Sequence, residues 1–177
     1  LDSSASMDWN FEKTKITGRY HTALIAAFAS LHYAALKGAY CAGINFSDRI
    51  SYANWTNQTD RIEKMLLKYQ GYGTVLPIAQ MERLAKKNNR PCLILLISDL
   101  EIDNWDIILK RLQVLLENGN KLIAFFIEGD PDVLTMPDFK TLSGLGAIFY
   151  AVQDEEDLVG LIISEIQEVY TTEYKIT

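Results

Sequence analysis

Cysteine is scarce in this chain: Cys41 and Cys92 are the two thiols in 177 residues. Each sits in an apolar run that reads as a buried strand, where a free thiol behaves as a small hydrophobe, so no disulfide framework is predicted. Long apolar stretches are missing as well. None approaches the roughly 20 residues that a membrane span needs, and no basic segment followed by an apolar one opens the chain. Positive charge is in deficit, with 17 Lys and Arg against 23 Asp and Glu, a formal net charge of -6 and a pI near 4.9. A field of that sign repels nucleic acid and anionic membranes and favours cations and basic surfaces as partners. The two histidines, His21 and His32, share one face of a predicted helix without a third ligand of matching softness. That argues for packing or hydrogen bonding rather than zinc. There is no internal repeat, no low-complexity segment and no G-x-G-x-x-G after a strand, so a dinucleotide cradle is excluded.

What is present suits one packed domain. Hydrophobic residues make up 49% and charged residues 23%, values typical of globular chains, and the length can enclose a substantial core. Three Asn-x-Ser/Thr matches occur at Asn45, Asn54 and Asn57. The first falls inside a predicted strand, where glycosylation is implausible, and the expected setting is the cytoplasm.

Hydrophobic periodicity orders the elements. Residues 17–36 read as a long alanine-rich helix ended by Gly38. Tyr40–Ser47 reads as a strand, followed by a tight turn and a short second strand ISYA, an antiparallel hairpin at a sheet edge. Ile62, Met65 and Leu66 mark a short amphipathic helix. After GYGT, residues 71–74, a helix runs through VLPIAQMERLAKK, with Pro77 tolerable only in or near its first turn. CLILLIS, 92–98, has the continuous apolar character of a central parallel strand. A helix over Trp105–Leu116, a strand over 121–128, a Pro- and Gly-containing connection, a strand over 147–152 and a last helix follow. The last helix presents Leu158, Leu161, Ile162, Ile166 and Val169 as its core face. Its acidic first turn, Asp154 to Asp157, complements the helix dipole. Alternating strands and helices predict an α/β fold: a Rossmann-like, doubly wound, mostly parallel sheet with an antiparallel edge strand and helices on both faces.

In such sheets ligands sit beyond the carboxyl ends of the strands. Three loops there hold oxygen donors: Asp2 to Ser6, Gly71 to Thr74 and Ser98 to Asp103. Their Asp, Ser and Thr side chains are hard ligands suited to Mg²⁺ or Mn²⁺. In D-x-S-x-S, alternate side chains turn to one point, which places Asp2, Ser4 and Ser6 together and directs Ser3 and Ala5 away. Taken singly, LDSSASM suits a helix cap and GYGT an ordinary turn. Asp99 is different, because a carboxylate ending a buried strand is costly without a cation or hydrogen bonds. Trp9, Phe11, Tyr72 and Trp105 fall in loops around this point, where they either cover the core or anchor a partner.

These residues carry a resemblance. D-S-S-A-S at Asp2, Ser4 and Ser6, the threonine of GYGT at Thr74 and the aspartate of LLISD at Asp99 resemble a von Willebrand factor A (vWA) domain with a complete metal-ion-dependent adhesion site, or MIDAS. The likeness runs nearly end to end, and GINFSDRI and LILLISDLEID resemble the prokaryotic branch associated with AAA+ ATPases of the MoxR type. It implies a single vWA-like domain over 1–177 and a Mg²⁺ (or Mn²⁺) site made by Asp2, Ser4, Ser6, Thr74 and Asp99. It also implies a partner protein whose Asp or Glu completes the coordination, with no catalysis. Leu100 stands where many relatives have glycine, and Glu101 or Asp103 adds a carboxylate within reach of the site. Because Asp2 should follow a strand of five or six apolar residues, an apolar central strand is expected upstream of Leu1, which makes the chain a fragment.

Two other readings stand beside this one. A Mg²⁺-dependent hydrolase or phosphotransferase would use Asp2 as nucleophile, but Ser4 occupies the place of the second acid such an enzyme needs. A metal-free scaffold would bind partners through its surface alone.

Overall fold

The computed structural model of the chain describes residues 1–8, 10–11, 16–128, 131–152 and 155–173. Two short strands, β1 (Asn10–Phe11) and β2 (Ile16–Thr17), pair antiparallel ahead of α1 (Arg19–Leu36). Then come β3 (Cys41–Phe46), β4 (Ile50–Thr56), α2 (Thr59–Leu66), α3 (Ile78–Asn88), β5 (Leu93–Ser98) and α4 (Trp105–Glu117). The chain continues through β6 (Lys121–Ile127), α5 (Pro137–Gly144), β7 (Ile148–Val152) and α6 (Glu155–Glu173). This is the α/β, Rossmann-like arrangement read from the sequence.

Strands β5, β6 and β7 form a parallel sheet in that order, while β4 pairs antiparallel with β3. Residues 1–3 join the two. The Asp2 amide donates to the Ile97 carbonyl at 3.0 Å, and the Phe46 amide donates to the Leu1 carbonyl at 3.1 Å. Asp2 thereby bridges parallel to Phe46 and stands between β3 and β5. Below Leu1 an apolar slot of about 460 Å³ continues between those strands, lined by Ala42, Ile44, Leu93 and Leu95 among others.

The sheet is covered on both faces because its side chains alternate. Ile97, Ile123, Phe125 and Ile127 pack with Tyr20, Ala23, Leu24, Ala27 and Leu31 of α1, Ile62 and Leu66 of α2, and Leu158, Ile162 and Ile166 of α6. Leu96, Leu122, Ala124 and Phe126 point the other way, onto Met81, Ile108, Leu112, Leu116, Phe139 and Leu142. Each fully buried Ile, Leu or Phe contributes roughly 1.5–3 kcal/mol of transfer free energy.

Element ends follow local chemistry. α1 closes with the Gly38 amide on Ala35 O at 2.9 Å and the Ala39 amide on Ala34 O at 3.0 Å, with Gly38 at φ 73°, the left-handed exit that glycine provides. Pro77 is the N-cap residue of α3, and Asn89 ends that helix in the left-handed region. Helix α5 lies within the Pro- and Gly-containing connection, to which the sequence assigned no element. Pro137 opens it, Asp138 lies in its first turn, and Phe139 and Leu142 are buried one turn apart. Eight residues give too little periodicity to stand out in sequence. Trp9 and Asp154, with the side chains of Phe11, Glu155, Glu156, Asp157 and Val169, lie outside the described residues.

Candidate metal centre

The loop after Asp2, the loop between α2 and α3 and the loop after β5 come to one place, and backbone hydrogen bonds stitch them together. The Ser3 amide donates to Phe46 O at 2.8 Å, Gly71 N to Ser3 O at 2.9 Å and Ala5 N to Tyr72 O at 2.8 Å. The Tyr69 hydroxyl adds a bond to Ser4 O at 3.0 Å. After Ser4 the chain makes a 3-10 turn, Ala5–Met7, pinned by the fully buried Met7.

Asp2 is completely buried. Its Oδ1 accepts the Ser4 amide at 2.9 Å, and its Oδ2 accepts the Ser98 hydroxyl at 2.6 Å. The hydroxyls of Ser4 and Ser6 lie 3.1 Å apart, while Ser3 turns away to Phe46 O. Thr74 is buried, and its loop is clipped by Asp103. The Thr74 amide donates to Asp103 Oδ2 at 3.1 Å, and Asp103 N donates back to Thr74 O at 2.8 Å. Asp103 is thus engaged with backbone. The Asp99 side chain is fully buried, and its Oδ1 accepts the Glu101 amide at 3.1 Å.

Ser6, Thr74 and Asp99 line one cleft of about 690 Å³ with Tyr72, Glu101 and Asp103. Asp2 stands behind them, linked through Ser4. The five residues read from the sequence are therefore brought to one locality. Of the aromatic residues placed around it, Tyr72 is exposed and Trp105 lines the apolar side of the cleft, its Nε1 donating to Leu100 O at 3.1 Å.

Two contributors were not singled out from sequence. Ser98 holds Asp2 and also accepts the Leu100 amide at 2.9 Å. Arg19, the first residue of α1, reaches into the site: Nη1 lies 3.4 Å from Asp99 Oδ2 and 3.3 Å from Ser6 O, and Nε lies 3.2 Å from Glu128 Oε2. A signal for it existed, since a basic residue in the first turn of a helix opposes the dipole and calls for nearby acids.

The donor set fits a hard divalent ion. In an octahedron with metal–oxygen distances near 2.0–2.1 Å, adjacent ligand atoms are separated by about 2.9 Å, close to the Ser4–Ser6 hydroxyl spacing of 3.1 Å. Burial pushes the Asp2 carboxyl above its ordinary pKa; hydrogen bonds from Ser98 and Ser4 lower it, and the Asp99 charge raises it again. Two buried acids in mutual repulsion are the environment that a cation relieves. Among the described residues no group of three or more His, Cys, Asp or Glu side chains is placed to hold a metal. The candidate set has two carboxylates and fills its remaining positions with hydroxyls, so it differs in kind from such clusters.

Backbone strain gathers at the same end of the sheet. Asp8, Tyr72, Leu100 and Glu128 all have positive φ, at 39°, 70°, 58° and 50°, a region that ordinary side chains disfavour. Leu100 thus adopts, with a buried side chain, the conformation that glycine would take freely.

Comparison with known proteins gives the fold. No family model and no curated protein matches the chain. Among solved structures, that of an aerotolerance-related membrane protein from Bacteroides fragilis NCTC 9343, carrying multiple mutations to serines, is similar. It has a TM-score of 0.65 and 14% identity over 94% of this chain and 96% of that one. An uncharacterized membrane spanning protein from Vibrio fischeri aligns over 95% of each chain at 16% identity, with a TM-score of 0.37 that is too low to carry an argument. Among the described residues of the present chain, no helix is long and apolar enough to cross a membrane.

Proposed function

We propose that this chain is a single vWA-like module that binds Mg²⁺ or Mn²⁺ through Asp2, Ser4, Ser6, Thr74 and Asp99 and uses the ion to hold an acidic side chain of a partner protein. The observation that carries this reading is the Ser4–Ser6 hydroxyl pair, 3.1 Å apart, with Ser4 buried beside Asp2 and Ser6 on the same cleft as Thr74 and Asp99. A bound divalent ion would supply a positive centre with a coordination position for a carboxylate. The chain's own residues supply the rest. Ser98 and the Ser4 amide fix Asp2, Asp103 fixes the Thr74 loop, and the Glu101 amide orients Asp99. Trp105, Leu109 and Met136 on the apolar side of the cleft offer contact area to the partner chain. The sequence likeness to the prokaryotic branch makes a MoxR-type AAA+ ATPase the partner class in this reading, in a cytoplasmic setting.

Ser4 stands two residues after Asp2, where a phosphotransferase of this kind needs a second acid, and that supports the binding role over the phosphotransferase reading; the buried Asp2, held by Ser98 and the Ser4 amide, would act on the ion through water or through the serine hydroxyls. Titration calorimetry with Mn²⁺ tests the proposal. Uptake of one ion, lost in Asp2→Ala and in Ser4→Ala, is expected. Undiminished affinity in those folded variants removes the site assignment, absence of uptake by the unaltered chain leaves the metal-free scaffold, and phosphate-ester turnover abolished by Asp2→Asn establishes the enzyme.

A further inference from the structure

We infer that Arg19 is the built-in counter-charge of the site and competes with the divalent ion for Asp99, so that it sets the metal affinity; this rests on the metal reading above. The guanidinium is permanently charged. It lies between the acids that directly follow β5 and β6, with Nη1 at 3.4 Å from Asp99 Oδ2 and Nε at 3.2 Å from Glu128 Oε2, and a further contact of Nη1 to Ser6 O at 3.3 Å. Asp99 has no exposed side-chain surface, whereas the Arg19 side chain is 28% exposed and Glu128 53% exposed. The inner contact therefore acts in a low-dielectric setting, and the outer one is screened by solvent.

A fixed positive charge against a metal ligand disfavours a second cation on the same carboxylate. It also offsets part of the penalty of burying Asp99 when no ion is present. The arrangement gives the guanidinium two acceptors. Loading the site weakens its hold on Asp99 and leaves it to Glu128, at the solvent end. Glu128 thus serves as the alternative seat of the arginine, and its backbone, at φ 50°, is held in a disfavoured region beside that seat. Arg19 stands in the first turn of α1, where the dipole opposes a cation, and the two acids act against that local field.

Calorimetric Mn²⁺ titration of the full chain at fixed ionic strength, paired with thermal melts in EDTA, tests this. Arg19→Gln is expected to bind Mn²⁺ about tenfold more tightly while melting lower in EDTA, and Arg19→Lys to stay close to the unaltered protein. Glu128→Gln is expected to weaken Mn²⁺ binding about threefold, because the guanidinium then stays with Asp99. The same change in the Arg19→Gln background is expected to have little effect. An unchanged or weaker Mn²⁺ affinity in folded Arg19→Gln overturns the inference, as does a Glu128→Gln effect of equal size with and without Arg19. Should Arg19→Gln fail to fold, Glu128→Gln is set against Asp138→Asn, which removes an exposed charge lining the cleft: a larger loss of Mn²⁺ affinity in Glu128→Gln supports the competition, and an equal or smaller one overturns it. Mn²⁺ uptake that ignores Arg19 defeats this inference only, whereas no uptake by the unaltered chain defeats the metal reading as well.

Discussion

The hydroxyl of Ser98 donates to Oδ2 of Asp2 across 2.6 Å, joining the end of β5 to a residue 96 positions earlier. Both groups are fully buried, and the same hydroxyl accepts the Leu100 amide. Hydrogen bonds to a charged group contribute roughly 1.5–3 kcal/mol. Ser98→Ala is expected to lower unfolding free energy by about that amount and to weaken Mn²⁺ binding, since Asp2 loses its orientation. Urea unfolding and calorimetry check both, and a variant matching the parent in each would show that the contact is incidental.

Gly43 tests the packing that carries the Thr74 loop. A Cβ there would come 2.5 Å from Ile62 Cγ2 and 3.1 Å from Met65 Cε, so Gly43→Ala must push α2 off β3. Overpacking of this kind costs about 1–3 kcal/mol. Because α2 leads into residues 69–74, metal affinity should fall with stability. A melting temperature equal to the parent's would mean that the helix sits more loosely than described.

Tyr20 gives a pH dependence at the alkaline end. Its hydroxyl donates to Leu66 O, and burial raises the phenol well above its ordinary value of 10.0. The folded state therefore holds this proton more tightly than the unfolded one. The stabilisation is complete below pH 10 and is lost as pH rises above that value toward the folded pKa. Tyr20→Phe is expected to cost about 1 kcal/mol near neutrality and to flatten the fall in stability above pH 10. Equal slopes for the two proteins would exclude Tyr20 as the cause.

The two thiols should be slow to alkylate. Burial raises the pKa of Cys41 and of Cys92, and reaction requires thiolate. Both line the slot between β3 and β5. Iodoacetamide at pH 8 followed by mass spectrometry should show little labelling in the native protein and rapid labelling in urea. Prompt native modification of Cys92, which is 8% exposed, would mean that the slot opens readily.

Much of this was legible because it depends on repetition or on residue type at an element boundary. The apolar run ending at Ser98 marked a buried parallel strand, although β6 and not β5 is the middle strand of the three-stranded sheet; Ser4 and Ser6 meet through a 3-10 turn and not through strand alternation. Arg19 escaped because amphipathic patterning assigns a charged residue at a helix start to solvent, and only the acids brought from β5 and β6 turn it inward. Ser98 read as the last residue of an apolar strand, although a hydroxyl directly before a buried aspartate was a usable sign. Asp103 showed the limit of counting carboxylates: its side chain holds the Thr74 amide, a role fixed by loop geometry that spacing does not encode.

Side chains at four of the five non-glycine positive-φ positions, Asp8, Tyr72, Leu100 and Glu128, have a bearing on how the molecule could be altered. Glycine at any of them would relax the backbone, yet at Tyr72 and Leu100 it would also remove side chains that line the cleft. A laboratory selection for heat resistance alone would therefore drift toward glycine there and, on the proposed metal reading, weaken Mn²⁺ uptake without touching any of the five residues assigned to it.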